Sequence, residues 1–194
     1  MVIVGPQSSP AAQQGTSLLE VLVTIVILAI GLLGLAGLQT RLQSSEIEAY
    51  QRSQALILLN DMASRIATNR SNAEAYITTS PLGVGMTCPT GTSTQLIDAG
   101  QWCSALQGAA ETLDSGSVGA MVGGRGCVEK VGGAAGEAVG EYSITIAWQG
   151  LTAIAAPTST CGQNLYNGSS GSACTGDKCR RTVTTIVRIG DLAS

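Results

Sequence analysis

The feature that most constrains this chain is an apolar stretch close to its N-terminus. Residues 21–38 are apolar except for Thr24, and the segment that leads into them reads GTSLLE, from Gly15 to Glu20. At about 1.5 Å per residue, this run forms roughly 27 Å of helix, which is close to the hydrocarbon thickness of a bilayer. The stretch is therefore predicted to be a helix that can span a membrane.

A single carboxylate, Glu20, stands at the start of this apolar run. A charge at the centre of an inserting helix costs about 2.5 to 3.5 kcal/mol, and less near an end, so an acid here needs a reason. One interpretation is that Glu20 marks the edge of the span and reaches the headgroups. The other is that it has a functional partner, and the glycine five residues earlier, Gly15, favours this second interpretation.

The order GTSLLE at residues 15–20, followed by apolar residues, resembles the class III signal of type IV pilins and pseudopilins. The resemblance implies that a prepilin peptidase cuts after Gly15 and methylates the new terminus at Thr16. It also implies that Glu20 meets the terminal amine of a neighbouring subunit during assembly. The amino-acid sequence of the helix is most similar to that of the minor pilins of the PilV type.

Thr16 stands where major pilins usually carry phenylalanine, which also favours a minor subunit of a type IV pilus. The implied partners are the prepilin peptidase, the major pilin and other minor pilins, with a tip adhesin as a further candidate. The implied location is the bacterial inner membrane and then the pilus. A minor pseudopilin of a type II secretion system is the alternative, because it carries the same signal.

The helix is expected to continue well beyond the apolar run. Proline is absent from residues 11–80 and glycine from residues 38–82, so one helix over residues 16–70 is permitted. We expect a leader over residues 1–15, a transmembrane half of the helix over 16–38, an amphipathic half over 39–70 and a periplasmic α/β domain over 71–194.

The second half of this helix carries an apolar stripe that needs a partner surface. Its members recur at helical spacing and are Ala55, Leu58, Leu59, Met62 and Ile66. We predict that they pack against a sheet formed later in the same chain.

Two later segments alternate apolar and polar residues as strands do, at residues 141–149 and 181–189. They are predicted to pair antiparallel and to cover the helical stripe. Residues 71–135 are expected to form loops with short elements, including a small helix near residues 104–113. The predicted fold class is α+β and pilin-like, with a long N-terminal helix, a small antiparallel sheet and disulfide-stapled loops.

All the cysteines follow the helix, and their number is even: Cys88, Cys103, Cys127, Cys161, Cys174 and Cys179. This pattern predicts disulfides in an exported domain, which we expect to be located in the periplasm. It does not predict which cysteines pair. The pair at 174 and 179 is the closest to a zinc motif. A tetrahedral site needs a second close pair or histidines, and the chain has no histidine. No metal site is therefore expected.

Composition excludes several classes of function. The absence of histidine excludes the Ser-His-Asp and Cys-His arrangements of hydrolases. The only lysines, Lys130 and Lys178, are not next to a nucleophile motif. A net charge of -3 with ten scattered basic residues argues against a nucleic-acid surface. The chain is therefore predicted to be a structural subunit without enzymatic activity or cofactor.

Overall fold

The computed structural model describes residues 17–109, 112–113, 116–117 and 121–191. The first element, helix α1, runs over Leu18–Thr68, close to the range predicted from the absence of proline and glycine. The chain divides into two compact units, Met1–Gln43 and Ser44–Ser194. Helix α1 contributes residues 18–43 to the first unit and residues 44–68 to the second.

In the second unit, α1 is followed by short elements and then by three longer strands. In order they are a 3₁₀ helix (Arg70–Tyr76), β1 (Leu82–Gly83), α2 (Thr94–Leu106), β2 (Thr112–Leu113), β3 (Gly116–Ser117), β4 (Arg125–Gly132), β5 (Gly140–Gln149) and β6 (Arg180–Ile189). An antiparallel sheet has the order β1-β4-β5-β6, and β2 pairs with β3 separately. The predicted α+β class, with its long helix and small sheet, is confirmed.

The antiparallel pairing of the two predicted strands is also confirmed. Strands β5 and β6 pair over their whole length, with Tyr142 opposite Val187 and Trp148 opposite Arg181. The prediction for residues 71–135 is wrong in two respects. Helix α2 begins ten residues earlier than residue 104 and ends at Leu106, and the segment 125–132 is a full strand of the sheet.

The helical stripe forms one side of the core, as predicted. The α1 side chains Ala55, Leu59, Met62 and Ile66 are buried, and Leu58 is packed against them. The same cluster contains four β5 side chains and one from β4: Tyr142, Ile144, Ile146, Trp148 and Val128. Full burial of a large aliphatic side chain contributes about 1.5 to 3 kcal/mol, so this contact is a principal source of stability for the second unit.

Helix α2 is held between α1 and the sheet by Trp102, which is fully buried. Its indole Nε1 donates a hydrogen bond of 2.9 Å to the backbone oxygen of Leu58 in α1. On the other side, its ring lies directly on Gly126 of β4. A Cβ atom at position 126 would lie 2.1 Å from the ring. Any residue other than glycine at this position would therefore have to displace the Trp102 ring.

Replacing Gly126 with alanine is therefore expected to destabilise the second unit by about 2 to 3 kcal/mol, because the added methyl group overpacks a closed core. Urea unfolding followed by tryptophan fluorescence measures this loss, since Trp102 and Trp148 both lie in the second unit. The same substitution at Gly190, where an added Cβ meets nothing within 4 Å, is the matched control. Equal stability of the two variants would contradict the packing described.

A polar network joins α1, the 3₁₀ helix and α2. Arg65 donates to Asp98 at 2.7 Å, and the hydroxyl of Tyr76 donates to the same carboxylate at 2.5 Å. Burial of Tyr76, and then its hydrogen bond to Asp98, raise the pKa of this phenol to about 12. The fold therefore favours the neutral phenol.

This pKa predicts a specific loss of stability at high pH. A raised folded-state pKa stabilises the protein fully below pH 10, the ordinary value for the phenol, and this contribution is lost as the pH approaches 12. Raising the pH from 9 to 11 should lower the free energy of unfolding of both proteins. We expect this decrease to be about 1 to 1.5 kcal/mol smaller for Tyr76→Phe than for the unaltered protein. Parallel urea titrations at the two pH values measure the difference. Identical losses would contradict the assignment.

The six cysteines form three disulfides. They are Cys88–Cys103, Cys127–Cys161 and Cys174–Cys179, with Cα separations of 5.5, 5.8 and 5.0 Å. The first ties the segment after β1 to α2. The second ties β4 to the long connection between β5 and β6, and the third closes a short loop just before β6.

The connection between β5 and β6, residues 150–179, is also organised by Arg180. Its side chain is only 2% exposed and forms an ion pair with Asp177 at 3.4 Å. The guanidinium also donates to the backbone oxygens of Pro157, Ser159 and Cys161. A long segment without regular structure is thus fixed to the sheet by one buried cation.

Candidate functional site

The candidate functional site is the part of α1 that lies in the first unit. Its large apolar side chains are exposed throughout residues 18–42, with values between 42% at Val21 and 90% at Leu18. By length and composition alone, α1 is the one described helix that could cross a membrane, and none of the relevant window is buried within the protein. Such a surface requires lipid or other apolar helices around it.

The two threonine hydroxyls of this segment are bonded within the helix. The hydroxyl of Thr24 donates to the backbone oxygen of Val21 at 2.8 Å. The hydroxyl of Thr40 donates to the backbone oxygen of Ala36 at 3.1 Å. Hydroxyl groups bonded to the preceding turn of their own helix add little cost in an apolar environment.

Glu20 is the acidic residue of this segment. It lies in the first turn of α1, where its backbone N–H donates to the oxygen of Ser17 at 2.9 Å, and its side chain is exposed. A carboxylate in the first turn interacts favourably with the helix dipole. Among the described residues Glu20 has no ion-pair partner.

Three glycines, Gly31, Gly34 and Gly37, leave the backbone of the same segment uncovered. Helix α1 runs through them without interruption, and an added Cβ at any of them would meet nothing within 4 Å. Small residues three apart allow another helix to approach closely. The segment therefore combines an apolar surface, one acid and a region of exposed backbone.

The two residues of the predicted processing site, Gly15 and Thr16, lie outside the described residues. They are included in the sequence match that bears on this site. Residues 10–36 match the family model for the prokaryotic N-terminal methylation motif. The chain carries the N-terminal signal of type IV pilin-like proteins.

The match supports a pilin-like subunit of a pilus or a pseudopilus. It implies processing by a prepilin peptidase and assembly with other pilins. Together with the apolar helix, it supports membrane anchoring and pilus association. Pilins are typically structural proteins without enzymatic activity. Searches among characterised proteins and among solved structures returned no significant match.

All six predicted disulfide cysteines are placed in the second unit and are paired with one another. The closely spaced cysteines 174 and 179, weighed above as half of a zinc site, are bonded to each other. In the part of the chain that the structure describes, no group of three or more metal-ligating side chains comes together.

A second cluster in the second unit was not anticipated from the sequence. The Oε1 atom of Glu48 in α1 accepts hydrogen bonds from the backbone N–H of Leu151 and from Arg181, both at 3.1 Å. Glu48 and Arg181 border a cavity of about 420 Å³ between α1 and the start of β6. More than a hundred residues separate Glu48 from both partners, so no local motif could have indicated the cluster.

Proposed function

We propose that this chain is a minor pilin that assembles into a type IV pilus, or primes its assembly, after cleavage between Gly15 and Thr16 and methylation of Thr16. The observation that carries the proposal is a match to the N-terminal methylation motif over residues 10–36, on a helix whose apolar surface is uncovered. In this proposal the helix is retained in the inner membrane and then transferred into the filament.

Glu20 is proposed to recruit and register the neighbouring subunit. A carboxylate removed from water is tolerated when it is paired, and the amine of a freshly cut terminus supplies the opposite charge. The glycines at 31, 34 and 37 support the proposal, because they allow another helix to lie close to the same segment. Both features act between molecules rather than within one chain.

The second unit, including the proposed domain over residues 71–194, is assigned to the periplasm. Its three disulfides support this location, since such bonds persist in oxidising compartments. The proposed partners are the prepilin peptidase, the major pilin and other minor pilins, with a tip adhesin as a further candidate. No nucleic acid partner is proposed.

Mass spectrometry of the protein extracted from membranes tests the processing step. We expect a mature chain that begins at Thr16 and carries one N-terminal methyl group. In cells that lack the prepilin peptidase, the protein should keep the mass of the uncleaved chain. A protein that keeps its first fifteen residues in the presence of the peptidase would contradict the proposal.

Shearing of surface filaments tests the destination of the protein. A minor pilin is expected in the sheared fraction at a small ratio to the major pilin, and filament number should fall when its gene is deleted. Unchanged filaments that lack the protein, together with a defect in protein secretion, would instead indicate a pseudopilus.

A further inference from the structure

Strand β6 forms one edge of the four-stranded sheet, and its hydrogen-bonding pattern can be read from the residues around it. Gly150 donates its N–H to the oxygen of Cys179, so this pair belongs to the hydrogen-bonded positions of the β5–β6 ladder. In an antiparallel ladder such positions alternate. The odd-numbered residues of β6 are therefore bonded to β5, and the even-numbered residues direct their N–H and C=O groups away from it.

Two further contacts agree with this alternation. Lys178 directs its oxygen outward, where it accepts from the N–H of Ile154, and Arg180 directs its N–H outward to the oxygen of Asp177. From residue 182 to residue 188, no backbone group of the described residues forms a hydrogen bond with the outer edge of β6. The open positions are Thr182, Thr184, Ile186 and Arg188.

This edge lacks two devices that commonly prevent strand addition. β6 contains no proline, and its pairing with β5 continues without a register shift over all ten residues. On the outer face, Ile186 is 52% exposed. A long, regular edge with unpaired groups at every second residue is complementary to another extended chain.

A cavity of about 420 Å³ lies beside the first half of this edge, on the side of the sheet that α1 covers. Its lining includes Arg52, Trp148, Arg181 and Val183. Arg181 is paired with Glu48, but the exposed guanidinium of Arg52 has no ion-pair partner in the described ranges. The indole N–H of Trp148, which is 3% exposed, has no acceptor there either.

We propose that the outer edge of β6 accepts an extended strand from another polypeptide, and that this strand places an Asp or Glu side chain in the cavity. Backbone hydrogen bonds to the even-numbered residues hold the strand. Every second side chain of the added strand lies on the same side of the sheet as Val183, which faces the α1 core. There, the exposed guanidinium of Arg52 supplies the donors that a carboxylate requires, whereas the buried Trp148 nitrogen has almost no accessible surface.

The charges of β6 argue against a second copy of the same strand as the occupant. In a symmetric antiparallel pairing centred on Thr184, the even-numbered residues oppose one another, so Arg180 of one copy would lie opposite Arg188 of the other, and β6 contains no acid. Like charges at directly opposed positions are destabilising. An extended segment of another polypeptide that carries an Asp or Glu can pair with the edge and also place its carboxylate in the cavity. This proposal is independent of the processing and assembly role of residues 15–20.

The test uses the full chain in nanodiscs of zwitterionic lipid and three synthetic peptides, acetyl-TVTETVT-amide and its versions with glutamine or lysine at the centre. We expect the glutamate peptide to bind about tenfold more tightly than the glutamine peptide, and the lysine peptide to bind most weakly. Amide hydrogen exchange should show new protection at Thr184 and Ile186 with the glutamate peptide. Absence of this protection would overturn the proposal.

Two variants separate the edge from the cavity. Thr184→Pro removes an outward N–H without removing a backbone β5–β6 hydrogen bond, so the sheet should remain while peptide binding is lost. Thr184→Val is the matched control, because it keeps the N–H and, like the proline variant, loses the 2.9 Å hydroxyl contact with Thr145. Arg52→Gln should reduce the preference for glutamate over glutamine to less than about threefold while the glutamine peptide still binds. Binding that survives both Thr184→Pro and Arg52→Gln would overturn the proposal. So would edge protection that rises with protein concentration without peptide, because it would indicate self-association.

Discussion

Replacing Glu20 with valine is expected to leave cleavage after Gly15 intact and to reduce incorporation into filaments by at least about tenfold. The substitution makes the apolar segment more uniform, so insertion into the membrane should not suffer. What is lost is the charge that we propose to pair with the terminus of an adjoining subunit. A difference of 1.4 kcal/mol corresponds to a factor of about ten, and a pair buried in an apolar bundle exceeds this value.

The measurement is immunodetection of the protein in membranes and in sheared filaments. Glu46→Val is the matched control, because it makes the same change on the same helix at an exposed position outside the apolar segment. Gly15→Leu is the processing control and should leave the precursor uncut. Normal incorporation of the Glu20→Val protein would refute the proposed role of this carboxylate.

Removing the disulfide between Cys127 and Cys161 is expected to destabilise the second unit by about 4 kcal/mol. The two cysteines are separated by 34 residues, and the loss of unfolded-chain entropy on cross-linking grows with that separation. Both sulfur-bearing side chains are buried, next to Ala147 and Tyr166. A loss of this size is a large fraction of the net stability of a small domain.

The double substitution Cys127→Ser with Cys161→Ser tests this expectation by urea unfolding. Replacing Cys174 and Cys179 with serine is the control, since their separation of only 5 residues predicts about 2 kcal/mol. The first variant should therefore be less stable than the second. The reverse order would show that local packing, rather than loop length, determines how much each disulfide contributes.

The elements that could be predicted from the sequence are those with a regular period. Helix α1 follows from the absence of proline over residues 11–80 and of glycine over residues 38–82, and β5 and β6 follow from strict alternation around Tyr142 and Val187. The acid at Glu20 and the glycine before it are a local pattern, so they could be recognised without a structure. Each of these signals is contained within a few neighbouring residues.

The features that were missed depend on contacts between distant residues. Strand β4 contains Gly126, which reads as a loop residue until Trp102 is seen lying on it. The small helix expected near residues 104–113 in fact lies earlier in the chain, as α2. The prediction is shifted because α2 carries its buried residues, Trp102 and Leu106, near its end. The pairing of the cysteines and the cavity beside Glu48 are set by the sheet order and by segments far apart in sequence.

The attachment of residues 150–179 to Arg180 has a consequence for how this surface can change. The guanidinium holds the segment by the oxygens of Pro157, Ser159 and Cys161, and every residue type supplies a backbone oxygen. The side chains that do hold this path are the cysteines, Asp177, Asn167 and the buried Tyr166, whose hydroxyl bonds to the backbone oxygens of Gly123 and Ala147. In the described part of the chain, the exposed side chains between them make no such bond to the backbone of the sheet. The outward-facing residues can therefore be replaced while the sheet beneath them stays the same.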